Sequence, residues 1–195
     1  MRRPGSKQRR FVILLLAVLA FGIAYYGGNR YQQSELPQIS GVTLIPPMPA
    51  PEFELTDQQG HRFTQEQLLD HWSLLLLDPN PASESTTLLY LARIHNRLAV
   101  DPELQRQLRF IYIPRRSMDS GDIADIEMGA GFFALSGDSE QIDETFSRFG
   151  MSGIEKRHTL TLIDTDARML ALFTGDQDAA TIAADLITLM TSNHR

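Results

Sequence analysis

The chain has 195 residues, 43% of them hydrophobic and 22% charged, a balance that excludes intrinsic disorder and suits one folded domain. It contains no cysteine, which excludes disulfide exchange, thiol peroxidase chemistry and thiolate ligation of a metal. The formal charge of −6 is unevenly divided: Arg2, Arg3, Lys7, Arg9 and Arg10 hold five of the 18 basic residues, leaving 13 against 24 acidic ones, or −11, for the rest. So acidic a body, with no basic stripe, excludes nucleic acid as a partner.

Residues 1–10 form a basic segment, and residues 11–28 (FVILLLAVLAFGIAYYGG) follow without a charge. At 1.5 Å per residue the apolar run spans roughly 27 Å, close to the hydrocarbon thickness of a bilayer. Tyr25 and Tyr26 lie at its far end, where amphipathic rings favour the headgroup level. A cleaved signal peptide starts in the same way, but it needs a shorter apolar run and a small-residue cleavage site, and Ala-Tyr-Tyr-Gly-Gly is a poor one. The expectation is one N-terminal transmembrane helix in a bacterial inner membrane. The basic residues before it place the N-terminus in the cytoplasm and the remaining chain in the periplasm.

Residues 29–51 are polar and then proline-bearing, ending in IPPMPAP, and read as an extended tether. A domain is expected over 52–192. Its first feature is EFELTDQQGHRF (52–63), a β-hairpin turning at 57–60, followed by a capping box, Thr64 with Gln67, that opens a short helix to His71. WSLLLL (72–77) is a continuous apolar run, the pattern of a central strand buried on both faces. Residues 83–100 carry a helical stripe of Leu88, Leu89, Leu91, Ala92, Ile94, His95, Leu98 and Ala99. A short helix at 102–108 leads to LRFIYI (108–113), an alternating strand stopped by Pro114. Residues 117–131 are acidic and glycine-rich and read as a loop, then 132–135 as a short strand. An amphipathic helix over 138–149 closes at Gly150. TLTLID and MLALF flank a turn at 165–167 as a second hairpin. A final helix over 176–191 presents Ile182, Ala183, Leu186, Leu189 and Met190. Strands alternating with helices, then a hairpin and a helix, specify an α/β sandwich of thioredoxin-like plan with a mixed central sheet. In that plan the functional loop joins the first central strand to the next helix, here residues 78–85.

The stretch GVTLIPPMPAPEFELTDQQGHRFTQEQLLDHWSLLL resembles the start of the Sco/SenC family, thioredoxin-like copper chaperones of cytochrome c oxidase assembly. The resemblance runs from Gly41 to about Met190. The family continues with C-P-x-x-C-P-T-T-L; alignment on Thr86-Thr87-Leu88 places Asn80 and Glu84 at the two cysteine positions, with Pro81 kept and Ser85 at the second proline. FIYIPRR is similar to the family's next strand but has Ile113-Pro114 where an aspartate stands. GFFALSGD resembles its L-T-G-D segment. His158, ahead of TLTLID, resembles the family's metal-binding histidine, with a spacing two residues shorter. The chain is thus identified as a degenerate member lacking both motif cysteines. The resemblance implies an accessory role in assembling a respiratory oxidase, with oxidase subunits or assembly factors as partners.

A copper(I) chaperone needs soft thiolates beside an imidazole, whereas Asn80 and Glu84 offer hard donors, so no cofactor is expected. The alternative is a weaker metal site built on His158 and Glu84, with Met118 and Met128 as possible thioether ligands of copper. Against it stand ordinary readings: a glutamate at a helix N-terminus, methionines that pack, and His61, His71, His95 and His194 with no ligand spacing. Ser83, Ser85, Thr86 and Thr87 cluster at a helix start, where hydroxyls cap, and lack a nucleophile elbow. The sequence therefore reads as a binding protein and not as an enzyme.

Overall fold

In the computed structural model the described residues are 38–80, 84–115, 131–151 and 158–192. A six-stranded sheet runs in the order β1-β8-β7-β4-β5-β6, and a separate hairpin pairs β2 with β3. The strands are β1 (Val42–Pro49), β2 (Glu54–Thr56), β3 (Arg62–Thr64), β4 (Trp72–Asp78), β5 (Leu108–Pro114), β6 (Phe132–Ala134), β7 (Thr159–Ile163) and β8 (Arg168–Thr174). The helices are α1 (Glu84–Arg97), α2 (Pro102–Gln107), α3 (Ser139–Arg148) and α4 (Ala179–Ser192). β4 is central, parallel to β5 and antiparallel to β7, so the sheet is mixed, as its sequence pattern requires.

The four leucines of β4 explain why it lies there. Leu74 and Leu76 join a cluster with Leu91 and Ile94 of α1 and with Ile182 and Leu186 of α4. Leu75 and Leu77 point the other way, into a cluster with Phe63 of the hairpin and Ile142 and Phe146 of α3. Each is at most 1% exposed, and burial of one such side chain contributes about 2 kcal/mol. β5 shows the same two-sided burial from Phe110 to Pro114, because α1 and α4 cover one face and α3 the other. The alternation expected for it is therefore absent, and Arg109 alone is left half-buried.

The structure differs from the sequence reading at three further places. The latter half of the stretch expected to be a tether, Val42–Pro49, is an edge strand antiparallel to β8. Its register breaks between Thr43 and Met48, and the Ile45–Pro46 bond is cis. An edge strand tolerates proline because half of its N–H groups need no partner. Gly41 admits the chain here, since a Cβ would come 2.5 Å from Phe173 Cδ1 and 2.6 Å from the Leu172 carbonyl. Second, the capping box of Thr64 and Gln67 opens a 3₁₀ turn, Gln65–Leu68, not a helix to His71. Leu69 turns extended and Asp70 takes a left-handed φ of 63°, which stops it. Third, the stripe of α1 is narrower than read. Leu89 is 53% exposed and Ala99 lies outside, because the helix tightens into a 3₁₀ turn at Leu98–Val100.

At the lower end of β4, Arg109 donates to His71 Nε2 at 2.6 Å and to the Gln67 carbonyl at 3.1 Å, with its guanidinium over the Phe133 ring. Since a guanidinium only donates, His71 Nε2 must be unprotonated. Burial, then the Arg109 charge, hold the imidazole below its ordinary 6.5, against a smaller opposing pull from Asp70. The neutral form is thus favoured in the folded state, so this contribution is complete above pH ~6.5 and is lost as pH falls below it. Wild type is expected to lose more of its urea midpoint between pH 7.5 and 5.5 than His71→Gln, whose amide accepts the same bond without titrating. Equal losses would remove His71 from the acid response.

Residues 11–28 and 116–130 lie outside the described residues, so the expected membrane span and most of the expected acidic loop, with Met118 and Met128, are not placed. Among the described residues no helix is long and apolar enough to cross a membrane.

Candidate functional site

The upper end of β4 carries the loop singled out in the sequence. Asp78 ends a strand whose other positions are apolar or small, and it stands beside Pro114 in the parallel register with β5. It is 1% exposed. Its carboxylate accepts from Thr87 Oγ1 of α1 at 2.8 Å, from Tyr112 OH of β5 at 3.4 Å and from the Asn80 amide at 3.0 Å. The Arg115 amide donates to its carbonyl at 2.9 Å. A buried carboxylate needs such donors, and here they come from the strand's neighbour, the following helix and the loop itself. Asp78 therefore ties the loop to the scaffold beneath it. Sequence reasoning took Asp78 as the first loop residue and assigned it no role. The available signal was an acid terminating a strand whose every other position is apolar or small.

Asn80, at the first degenerate position, is held through its backbone, and its residue surface is exposed. Glu84 is the first residue of α1; its side chain lies outside the described residues, as do residues 81–83. His158 immediately precedes β7. Leu77 of β4 is paired with Thr159, so one further step in that antiparallel register brings His158 to the same end of the sheet as Asp78.

The imidazole of His158 is fixed by three contacts. Its Nε2 is 3.1 Å from the Gly175 carbonyl, which only accepts, so Nε2 carries the proton. The Gly175 amide returns a bond to the His158 carbonyl at 3.0 Å. The ring lies 5.7 Å from that of Tyr90 on α1, tilted by 59°. A Cβ at Gly175 would fall within the imidazole, so the ring occupies the space that this glycine leaves. Tyr90 in turn donates to the Gln177 carbonyl at 2.6 Å. Burial, then the carboxylates of Asp178 and Asp176, push its phenol up to about 12, so it remains a donor at neutral pH. Gln177 Nε2 reaches the Ser40 carbonyl at 2.7 Å, closing the chain of contacts onto the segment ahead of β1.

The other histidines are placed apart from this end or outside the described residues. His61 is exposed beside Asp57 in the hairpin, and His95 meets the Phe110 ring edge-on at 5.5 Å. His194 lies outside the described residues. Among the described residues no three His, Asp or Glu side chains come together as a metal-binding group.

No family model and no curated protein matches the chain in sequence. Solved structures match its fold. Yeast Sco1 with copper bound superposes with a TM-score of 0.62 at 17% identity, over 75% of this chain and 94% of that one. Apo Sco1 from Thermus thermophilus gives 0.62 at 24% identity, over 80% and 99%. BsSco, described as a member of the Sco family of cytochrome c oxidase assembly proteins, gives 0.60 at 14% identity, over 80% and 96%. The residues of this chain do not fit a thiolate copper centre. Cysteine is absent from its whole length, so no thiolate can hold the soft ion. What the structure establishes is a thioredoxin-like α/β sandwich with a mixed sheet, of the Sco/SenC-like fold.

Proposed function

We propose that this chain is a cysteine-free member of the Sco/SenC family, serving cytochrome c oxidase assembly as a binding accessory and not as a thiol reagent. It is a single-pass protein of the bacterial inner membrane, anchored by residues 11–28, with its N-terminus cytoplasmic and its domain periplasmic. One observation carries this reading: the Sco-like fold is complete over the described residues, while its loop offers no sulfur at Asn80 or Glu84. Exchange requires a thiolate, and tight copper(I) binding requires soft sulfur ligands, which neither of those two positions supplies. A scaffold kept without its reagent has its surface left to act with, and the natural partners of that surface are oxidase subunits or their assembly factors.

The alternative, a weaker metal site on His158 and Glu84, is less well supported. With Nε2 donating to the Gly175 carbonyl only Nδ1 is left to ligate, and no group of three His, Asp or Glu side chains among the described residues includes it. Deletion of the gene tests the assembly role. Haem–copper oxidase content is expected to fall severalfold, most clearly under copper limitation. Unchanged content in both copper-replete and copper-limited cells would overturn it.

A further inference from the structure

We infer that the outer side of β1 rests on the membrane surface, using Val42, Ile45 and Met48 as an apolar foot. This depends on the anchor proposed above. These residues are 64%, 59% and 48% exposed, three of the six large hydrophobic side chains exposed among the described residues, gathered within seven residues of one edge strand. Their neighbours turn inward: Ile39 packs on the cluster beneath α1 and α4, and Leu44 on the one beneath α3. Ile39 and Leu44 thus fasten this segment to the domain, while about half or more of each of the three other side chains is left to solvent.

Two further observations choose the occupant. From Leu36 to Pro51 the chain has no charged side chain, although everything after residue 10 carries a net −11. An acidic body is repelled by anionic headgroups, and this neutral apolar stretch is the part that approaches them without that penalty. The chain length brings it there. Only residues 29–41 separate the span from Val42, and thirteen residues reach at most about 45 Å when fully extended. A second strand is a poor occupant, because Pro46, Pro47 and Pro49 remove amide donors from the edge.

The absence of cysteine makes the test clean, since any introduced thiol is the only one. Ile45→Cys, Met48→Cys and, as control, Val100→Cys (80% exposed) are made in the full chain, labelled with a bimane fluorophore and reconstituted into phosphatidylethanolamine–phosphatidylglycerol vesicles. With headgroup-region spin-labelled lipid, quenching at positions 45 and 48 is expected to be at least threefold that at 100. Retention through an alkaline wash with equal quenching at all three overturns the docking alone. Release by the wash overturns the anchor and the docking together. Protection of position 45 only on addition of solubilised oxidase, without lipid quenching, overturns the lipid assignment in favour of a protein partner.

Discussion

Asp78→Ala is expected to destabilise the domain by about 2–4 kcal/mol, measured as a fall in the urea midpoint with unchanged m-value. The carboxylate collects donors from Thr87, Tyr112 and the Asn80 amide in a place where water does not reach. Each hydrogen bond to a charged group contributes about 1.5–3 kcal/mol, and the desolvation of the carboxylate, which the alanine variant no longer bears, offsets part of their sum. The substitution also takes away the acceptor that links β4 to α1. Thr87→Val removes one donor and is expected to cost about 1–2 kcal/mol. Because both variants break the same bond, the double variant should cost less than the sum of the two. Strict additivity would show that Asp78 and Thr87 do not act on one another.

Gly175→Ala is the second large effect, expected to cost about 2–3 kcal/mol through overpacking. The added methyl occupies the position of the His158 imidazole, and the ring cannot retreat toward Tyr90 without giving up the bond to the Gly175 carbonyl. Removing the ring as well, in Gly175→Ala with His158→Ala, is expected to recover most of the loss, since two mutually exclusive groups are then replaced by two small ones. A cost below about 0.5 kcal/mol for Gly175→Ala alone would mean that the imidazole does not occupy this space. The outcome bears on function, because a histidine packed between β7 and the turn before α4, with Nε2 donating to the Gly175 carbonyl, has only Nδ1 left to meet a metal.

The elements that sequence patterns disclosed share one property: a single physical cause sets them. A short run of four leucines fits a strand covered on both faces, and β4 is that strand. The amphipathic spacing of 138–149, closed by Gly150, specifies a helix, and α3 is that helix. The misread places are those where two causes compete. The prolines of 42–49 favour extended chain whether it is solvated or paired, and the pairing depends on β8, more than a hundred residues away. The stripe of α1 ends where the helix tightens, which helical spacing alone does not encode. At the site, Asn80 and Glu84 were located by aligning Thr86-Thr87-Leu88, yet the alignment was silent on Asp78, because a buried acid is recognised by its donors and these lie on three different elements. The setting of His158 was hidden for the same reason. Nothing local to His158 announces that Gly175 makes room for its ring.

On the proposed function, a Sco-like scaffold persists here without the thiol and copper chemistry of its loop. Titration of the purified full-length chain with copper(I) against a competing chelator tests this most directly. No binding tighter than about 10 μM, which corresponds to roughly 7 kcal/mol, is expected, and no change on His158→Ala. Submicromolar binding that is lost in His158→Ala would contradict it.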